Sequence, residues 1–356
     1  MTGQTTAHQL TLEEKIKAEA KALGFVLSGI SQAESPPHFP NYLTWIERGF
    51  HAEMGYLARP DAIEARQDPT RLLPGCKTIL SLAVPYPRPT TRSPETTDGP
   101  RGSIAAYALH PDYHEVLQER MRALAERMQA LIGEPFSWKG CVDTSAILER
   151  DYAQHSGLGW IGRNACLVTR EYGSWVFLCE MLLDLSLEPD GPVSSVDCVD
   201  CQRCLMSCPT KALQPRRTVD ARLCLSYLTI EHRGLIPLEL RPLMGTRVFG
   251  CDTCQTVCPN NRLPEQNMGK SLFSAAIDPN PNLREALAMS EVDFRAVYRN
   301  TPVWRCRYTG FIRNVAIASG NSGDASLLPA LREALKRATD PVVRDSLEWA
   351  IVRLSA

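Results

Sequence analysis

Apolar positions in the first half of the chain recur at helical spacing in two stretches. Over 10–23 an apolar residue returns every three or four positions, which predicts an amphipathic helix, and Thr11 with Glu14 has the form of a capping box. The same spacing over 113–132 predicts a longer helix. A further short helix is expected over 42–49.

Short continuous apolar runs alternate with these helices. They occupy 25–30, 78–84 and 174–183, and their length is typical of buried strands. Residues 86–103, rich in Pro, Thr, Arg and Gly, predict a mobile loop. The alternation predicts a single α/β or α+β domain over residues 1–186.

The stretch between this domain's helices and its last strand carries two polar signals. Asp143 has the position of an N-cap for a helix closed by Gly157. The run Gly157-Leu-Gly159-Trp-Ile-Gly162 matches G-x-G-x-x-G, but it follows a helix instead of a strand and lacks an acidic ribose ligand. It therefore predicts a tight loop in which the backbone approaches another segment closely.

The end of the chain again has helical periodicity. Three helices are predicted, beginning near 308, at Asp324 and at Asp340, with Pro341 in the first turn of the last. Stacked helices of this kind resemble HEAT-type repeats. We expect a helical HEAT-like domain over 269–356, separated from the first domain by a cysteine-rich cluster domain over 187–268.

Composition describes an ordinary globular protein. The chain has 356 residues, 44% of them hydrophobic and 22% charged. It has no apolar run near the roughly 20 residues of a membrane span, and no export signal at its start. Thirteen cysteines without such a signal favour the reducing cytoplasm over a disulfide-bonded secreted protein.

Net charge is −1, but the charge is distributed unevenly. Residues 203–247 include eight basic and three acidic residues, and the stretch from residue 295 to the end includes ten basic and five acidic residues. A polyanion-binding face produces such counts, and so does an ordinary solvated surface.

The strongest chemical signal is a cysteine run, Cys198-Val-Asp-Cys201-Gln-Arg-Cys204-Leu-Met-Ser-Cys208-Pro209. This is the C-x2-C-x2-C-x3-C-P spacing with which bacterial ferredoxins hold [4Fe-4S] clusters, the fourth cysteine binding the other cluster. One such run therefore implies a second cluster.

A second, shorter run contributes Cys251, Cys254 and Cys258. The expected ligands of one cluster are Cys198, Cys201, Cys204 and Cys258. Those of the other are Cys208, Cys251 and Cys254, with Cys224 as the eighth ligand because it is the only other cysteine between the two runs. The remaining five are expected to be buried free thiols: Cys76, Cys141, Cys166, Cys179 and Cys306.

Structural zinc is the alternative to the clusters, since zinc also takes four thiolates from C-x2-C pairs. Zinc sites usually draw two pairs from separated knuckles. Four cysteines within eleven residues, followed by proline, favour two cubanes that pass single electrons.

Several motifs in one order give the chain a family resemblance. They are the two cysteine runs, Val142-Asp143-Thr, Gly157-Leu-Gly-Trp-Ile-Gly-Arg-Asn164, Glu171-Tyr-Gly-Ser-Trp and the helical tail. Together they closely resemble the epoxyqueuosine reductases, which complete queuosine in the tRNA anticodon. The resemblance covers nearly the whole chain.

The resemblance implies a fold and a set of cofactors. It implies an N-terminal α/β (α+β) cobalamin-binding domain, a bacterial ferredoxin-like domain with two [4Fe-4S] clusters, and a C-terminal helical HEAT-like repeat. It also implies a tRNA with a queuosine-type anticodon as substrate, an external low-potential electron donor of the flavodoxin or ferredoxin type, and a cytoplasmic monomer.

The resemblance also implies site residues. Asp143 matches the family's general acid, and Arg66, Arg150 and Asn164 match positions near the corrin. Read from the residues alone, Asp143 is an N-cap, the two arginines are surface charges and Asn164 belongs to a turn.

Two departures from familiar patterns are visible. Asp112-Tyr-His114 lacks the glycine of D-x-H-x-x-G, which does not count against cobalamin because this family holds the cofactor without a protein histidine. Many members have Ala-Arg-Tyr-Ala where this chain has Ala105-Ala106-Tyr107-Ala108. The role of that arginine must be filled otherwise or not at all.

Two other functions are compatible with the cysteine runs. A cobalamin and iron-sulfur reductive dehalogenase would be expected to carry an export signal and to lack the helical tail, and this chain shows the opposite. A ferredoxin-like electron carrier would need no corrin.

Overall fold

The computed structural model describes residues 10–87, 99–193, 198–262 and 271–356. Most of the loop predicted over 86–103, and the start of the chain, lie outside these residues. The strands are β1 (Leu27–Gln32), β2 (Thr78–Pro85), β3 (Ser103–Ile104), β4 (Trp138–Cys141), β5 (Trp160–Ile161), β6 (Leu167–Val168), β7 (Val176–Leu183), β8 (Leu213–Gln214), β9 (Thr218–Val219) and β10 (Arg247–Phe249).

α-Helices hold more of the described residues than the strands do. They are α1 (Leu12–Ala22), α2 (Phe39–Glu47), α3 (Pro60–Gln67), α4 (Tyr113–Ile132), α5 (Glu149–His155), α6 (Arg203–Ser207), α7 (Leu225–Ile230), α8 (Thr253–Thr256), α9 (Leu283–Ala288), α10 (Glu291–Tyr298), α11 (Arg307–Asn321), α12 (Leu328–Arg337) and α13 (Pro341–Ser355). Among the residues described, none of these helices combines the length and apolar character needed to cross a membrane.

The first part of the chain is built on a four-stranded sheet with the order β1-β2-β7-β4. Every neighbouring pair is antiparallel. Strand β2 is buried along its whole length, as its continuous apolar sequence predicts. The α/β or α+β prediction therefore resolves to α+β, because no parallel pair occurs in this sheet.

Helices cover both faces of this sheet. Ile16 of α1 and Met121 of α4 pack with Leu80 and Leu82 of β2 in one core. Helix α5 lies on the opposite face, where its Tyr152 packs with Ile79. The capping box predicted at the start of α1 is present, so its local sequence sets that boundary.

The prediction that Asp143 caps a helix is wrong. Helix α5 begins six residues later, at Glu149, and its N-cap position is Leu148. Asp143 has a φ of 49°, in the left-handed region that few non-glycine residues adopt. Its side chain therefore does not cap α5.

The G-x-G-x-x-G run forms a hairpin, as the tight-loop prediction required. Strands β5 and β6 pair across it, with Trp160 opposite Val168. A Cβ placed on Gly159 would lie 2.2 Å from the carbonyl oxygen of Val168, so this position requires glycine.

The C-terminal helices pack around one core. Phe294 of α10, Phe311 of α11 and Leu347 of α13 are fully buried in it. Asp340 caps α13 as predicted, whereas Asp324 caps a short 3-10 turn that precedes α12. Helices α9 and α10 were not predicted, and the assignment to HEAT repeats stays a prediction.

Candidate cluster and active site

One predicted set of cysteines lines a single cavity. Cys198, Cys201, Cys204 and Cys258 border a space of about 170 Å³ together with Asn164. Their thiols are close enough to act on one another. Burial raises the pKa of Cys258, and the charges of Cys198 and Cys201 raise it further.

The protein backbone also reaches this cavity. The amide nitrogen of Arg163 lies 3.4 Å from Sγ of Cys198, and its guanidinium donates to the carbonyl of Val199 at 2.8 Å. Amide N–H groups aimed at cluster sulfurs are among the features that set a cluster's reduction potential. The loop that follows β5 is therefore part of the first cysteine site.

The other predicted set also comes together. Burial raises the pKa of Cys224, and the charges of Cys251 and Cys208 raise it further. Cys251 and Cys224 also lie close enough to Cys254 for their charges to affect the pKa of its thiol. The residue predicted as the eighth ligand thus lies beside the three it was predicted to join.

Cys166 corrects one expectation about the spare cysteines. Cys76, Cys141, Cys179 and Cys306 are buried, but Cys166 is partly exposed and its thiol contacts that of Cys254. Cys166 is therefore a second candidate, besides Cys224, for the eighth cluster ligand.

The geometry bears on zinc. Within residues 10–87, 99–193, 198–262 and 271–356, no three His, Cys, Asp or Glu side chains converge as ligands of one metal ion. The preference for clusters over zinc therefore rests on the spacing of the cysteines in the sequence.

Asp143 lies at the centre of a second group of residues. Its Oδ2 accepts from Nη1 of Arg305 at 3.0 Å and lies 3.5 Å from Nε2 of His114. Its side chain is 45% exposed, so the carboxylate faces open space. Burial raises the pKa of Asp143, but the hydrogen bond with His114 and the charge of Arg305 lower it by a larger amount, so that the pKa is about 2.

His114 is held between two neighbours. Its Nδ1 lies 2.6 Å from Asp112, and Nη2 of Arg305 lies 2.8 Å from its Nε2. An arginine N–H can only donate, so this contact requires a neutral imidazole whose Nε2 accepts. Burial and the charge of Arg305 lower the pKa of His114, whereas hydrogen bonds with Asp112 and Asp143 raise it. Arg305 and a proton therefore compete for the same nitrogen.

Two further carboxyl groups lie behind Asp143. Glu149 accepts a hydrogen bond from the Asp143 backbone N–H, and burial followed by the charge of Asp143 raises the pKa of Glu149 to about 8. Glu180 of β7 is fully buried between its cross-strand neighbours Ser81 and Cys141, and neither of its oxygens has a hydrogen-bond partner among the described residues. Burial therefore favours the protonated form of both carboxyl groups.

Tyr56 connects Arg66 to this group. It is 53% exposed, and the charges of Glu231, Asp143, Arg305 and Arg66 all act on its hydroxyl. Arg66 is only 7% exposed, contrary to its reading as a surface charge. It lies over a tyrosine ring and donates to the carbonyl of the residue one turn earlier.

Arg150 and Asn164 lie between the cysteine cavity and Asp143. The guanidinium of Arg150 donates to the carbonyl of Ala165, and its charge acts on Glu149. Asn164 is buried, borders the first cysteine cavity and has an Nδ2 without a partner in the described part of the chain. Asn164 thus borders the cysteine cavity, and Arg150 binds the residue that follows Asn164.

Sequence reasoning missed Arg305 and the roles of His114 and Glu149. Arg305 is 162 positions from Asp143 and belongs to a different part of the chain, so no local spacing could pair them. His114 and Asp112 were noted only for a missing glycine. The one available signal was that Arg305 lies within the basic tail.

Comparison with known families supplies two matches. A family described as "4Fe-4S double cluster binding domain" matches residues 197–261. A family described as "Epoxyqueuosine reductase QueG, DUF1730" matches residues 66–144.

Curated relatives match over nearly the full length. The epoxyqueuosine reductase of Pseudomonas aeruginosa is 39% identical, over 99% of each chain. That of Escherichia coli is 37% identical, over 96% of this chain and 89% of its own.

Solved structures have the same fold. The epoxyqueuosine reductase of Streptococcus thermophilus superimposes with a TM-score of 0.87 at 32% identity, over 97% of this chain and 90% of its own. A Bacillus subtilis structure with its catalytic loop swung out of the active site gives 0.84 at 31% identity, over 96% and 90%. A reductase with a tRNA-Tyr stem loop carrying epoxyqueuosine gives 0.80 at 28% identity, over 97% and 99%.

Proposed function

Since this chain belongs to the epoxyqueuosine reductase family and is an oxidoreductase acting on tRNA, we propose that it converts epoxyqueuosine to queuosine at the wobble position. In this proposal electrons are supplied through two [4Fe-4S] clusters and cobalamin, and Asp143 supplies a proton. Removing the epoxide oxygen to leave an alkene consumes two electrons and two protons and releases water. The observation that carries the proposal is that both predicted cysteine sets come together in a chain that also holds a half-exposed carboxylate at Asp143.

The proposed cluster ligands are the two predicted sets. Cys198, Cys201, Cys204 and Cys258 would hold the cluster beside the Arg163 amide, and Cys208, Cys224, Cys251 and Cys254 the other. The double-cluster family match over 197–261 supports this assignment. A low-potential donor of the flavodoxin or ferredoxin type would supply electrons one at a time.

Cobalamin is proposed for the open side of the Asp143 site. The fit is supported by Asn164, whose buried Nδ2 needs an acceptor, and by the arginines Arg66 and Arg150 at the same site. Amide and phosphate oxygens of the cofactor are suitable partners for these donors. When bound, cobalamin would supply a low-valent metal that collects the two electrons.

Asp143 is the proposed proton donor. Its carboxyl group must be protonated when the oxygen of the substrate leaves, and exclusion of water by bound substrate would favour that form. Glu149 fixes the backbone of Asp143 through its N–H, which keeps the carboxyl directed to the site. The relative whose catalytic loop swings out of its active site supports a movable Asp143 segment here.

RNA binding is proposed for the C-terminal helices. A wobble nucleotide lies in a single-stranded loop, which proteins recognise by splaying the base out and holding flanking phosphates. The relative with a bound tRNA stem loop supports this substrate. We propose that the HEAT-like tail over 269–356 contacts tRNA, and that the protein acts as a cytoplasmic monomer.

The proposal is tested by anaerobic turnover. Reconstituted protein, cobalamin and dithionite are incubated with tRNA carrying epoxyqueuosine, and the nucleosides are analysed by mass spectrometry. Loss of one oxygen atom is the expected result. An unchanged nucleoside, with both cofactors verified, refutes the proposal, and a spectrum that cobalamin leaves unaltered would identify a simple electron carrier instead.

A further inference from the structure

Arg305 reaches the active site from the opposite end of the chain. It lies on a 3-10 turn, Pro302–Cys306, that precedes α11. Its main chain is fixed, because Arg233 donates to the carbonyl of Arg305 at 2.8 Å and to that of Cys306 at 3.1 Å. Its side chain is 32% exposed. Only the guanidinium can therefore exchange partners without moving the fold.

This guanidinium holds two groups needed for proton transfer. Nη1 pairs with Oδ2 of Asp143 at 3.0 Å, and Nη2 donates a hydrogen bond to Nε2 of His114 at 2.8 Å. A carboxylate in an ion pair favours its charged form and resists protonation. An imidazole nitrogen that accepts from arginine has no proton to give. As long as Arg305 stays in place, Asp143 cannot act as an acid.

The surface beside Arg305 has the features of a single-stranded RNA contact. Trp304 is 40% exposed, and its ring stacks on Phe294 at 5.5 Å with an angle of 22° between the planes. Arg307 is exposed on the other side. An exposed aromatic ring offers a base a stacking platform, and guanidinium groups bind phosphate oxygens in a fork. An RNA strand placed here would bring a phosphate to Arg305.

We propose that a phosphate of the bound RNA draws Arg305 away from Asp143 and His114, so that the catalytic acid forms only once the substrate is engaged. Released from Arg305, Nε2 of His114 takes a proton from solvent and donates to Asp143. Asp143 then gives a proton to the departing oxygen of the epoxide and is reloaded through His114 for the second proton of the water formed. Asp112 holds the opposite ring nitrogen throughout, and Glu149 holds the Asp143 backbone.

This inference rests on the proposed function and makes Arg305 a positioning residue for that reaction. If RNA must break the pair with Asp143, then removing the carboxylate relieves RNA binding of that cost. An exposed ion pair is worth up to about 1 kcal/mol, so Asp143→Asn is expected to tighten RNA binding by as much as about fivefold.

The test is a double-mutant cycle on RNA affinity. Wild type, Asp143→Asn, Arg305→Gln and the double variant, each reconstituted with clusters and cobalamin, are titrated against a fluorescein-labelled queuosine-type anticodon stem loop, and anisotropy gives Kd at several salt concentrations. Arg305→Gln is expected to weaken binding and to reduce the slope of log Kd on log salt by about 0.7, the loss of one single-strand phosphate contact. In the double variant the gain from Asp143→Asn is expected to vanish.

Two results overturn the inference. One is a gain from Asp143→Asn that persists in the Arg305→Gln background, because it would reflect general charge repulsion. The other is a coupling that appears when cobalamin is titrated but not when RNA is, because the phosphate partner of Arg305 would then belong to the cofactor. Arg305→Lys, which keeps the charge and loses the fork, is expected to bind RNA with intermediate affinity and shows whether Arg305→Gln failed by misfolding.

A second measurement separates this role from a merely structural one. Arg305→Gln is expected to raise the RNA concentration needed for the half-maximal single-turnover rate by a larger factor than it lowers that rate at saturating RNA, because the lost contact is to the bound RNA. A rate that falls as steeply as the affinity would contradict the inference. Failure of wild-type protein to deoxygenate the substrate would instead count against the proposed function and leave the binding cycle interpretable.

Discussion

At the scale of single residues, the hydrogen bond with His114 and the charge of Arg305 lower the pKa of Asp143 and favour its charged form, while its proposed role requires the protonated form. Asp143→Asn removes the acid and preserves the size of the side chain. We expect this variant to bind clusters, cobalamin and RNA, and to turn over about 10²- to 10⁴-fold more slowly, the usual contribution of general acid catalysis.

Single-turnover deoxygenation followed by nucleoside mass spectrometry measures the effect. Asp61→Asn is a suitable control, because Asp61 is 70% exposed and pairs only with its neighbour Arg59 in the described structure. Turnover of Asp143→Asn within a few fold of the control would remove Asp143 from the chemistry.

Glu180 gives a second prediction at this scale, about stability. Burial and then the charge of Glu149 raise the pKa of Glu180 well above its usual range, whereas in the unfolded chain it is about 4.3. Between these values the folded state holds a proton that the unfolded state has lost. The free energy of unfolding therefore falls as pH rises, by up to about 1.4 kcal/mol per pH unit.

Glu180→Gln is neutral at every pH and lacks this dependence. We expect the Tm of the variant, relative to wild type, to rise steadily from pH 5 to pH 8 in anaerobic thermal scans. Glu126→Gln, on the exposed face of α4, serves as the control and should show no such trend. A constant difference in Tm across this range would mean that Glu180 is ionised in the folded protein.

At the scale of elements, sequence predicted what local physics determines. The cap of α1 by Thr11 and of α13 by Asp340 follow from side chains that satisfy nearby N–H groups. The same reasoning gave a wrong prediction for the segment after β4, where Asp143 has the sequence pattern of a cap. Its positive φ and its pair with Arg305 depend on contacts from distant segments. Capping patterns cannot register such contacts.

Cysteine spacing was the most informative local pattern, yet it left one ligand open. The structure places Cys224 beside Cys251 and Cys208, and it also places the Cys166 thiol against Cys254. We expect Cys224→Ser to lose one cluster, with iron falling from about eight to about four per chain. Cys166→Ser is expected to keep both clusters.

Iron analysis and electron paramagnetic resonance of anaerobically reduced protein distinguish the two variants. Each is the other's matched control, since both remove one thiol near the same site. If Cys166→Ser loses the cluster and Cys224→Ser keeps it, the eighth ligand is Cys166.

At the scale of the whole molecule, the predicted domains share interfaces that no single segment could reveal. Strand β3 pairs in parallel with β10, which joins the first part of the chain to the cluster segment. Phe273, from beyond that segment, packs in the core of the first sheet. The order of the parts could be predicted from the sequence but these contacts could not, because they join residues far apart in the chain.

Helix α11 is the strongest of these links. Asn314 donates to the carbonyls of Thr229 in α7 and Val248 in β10. Arg313, 1% exposed, donates to the carbonyls of Leu228, at the same α7, and of two residues in the loop that follows it. Cys224 directly precedes α7 and Cys251 closely follows β10, so α11 positions the segments that carry two of the proposed cluster ligands.

Arg313→Met tests this coupling between the C-terminal helices and the clusters. Methionine retains the apolar stem but leaves three carbonyls without their donor, one buried and two partly buried, which should cost about 2 kcal/mol or more. Burial lowers the pKa of Arg313 only to about 10, so the lost group is a charged donor at neutral pH. We expect a Tm lower by roughly 5 °C or more and a reduced iron content. Arg332→Met, on an exposed position of α12, should change neither quantity. A destabilised variant with full iron content would show that α11 supports the fold without positioning the cluster ligands.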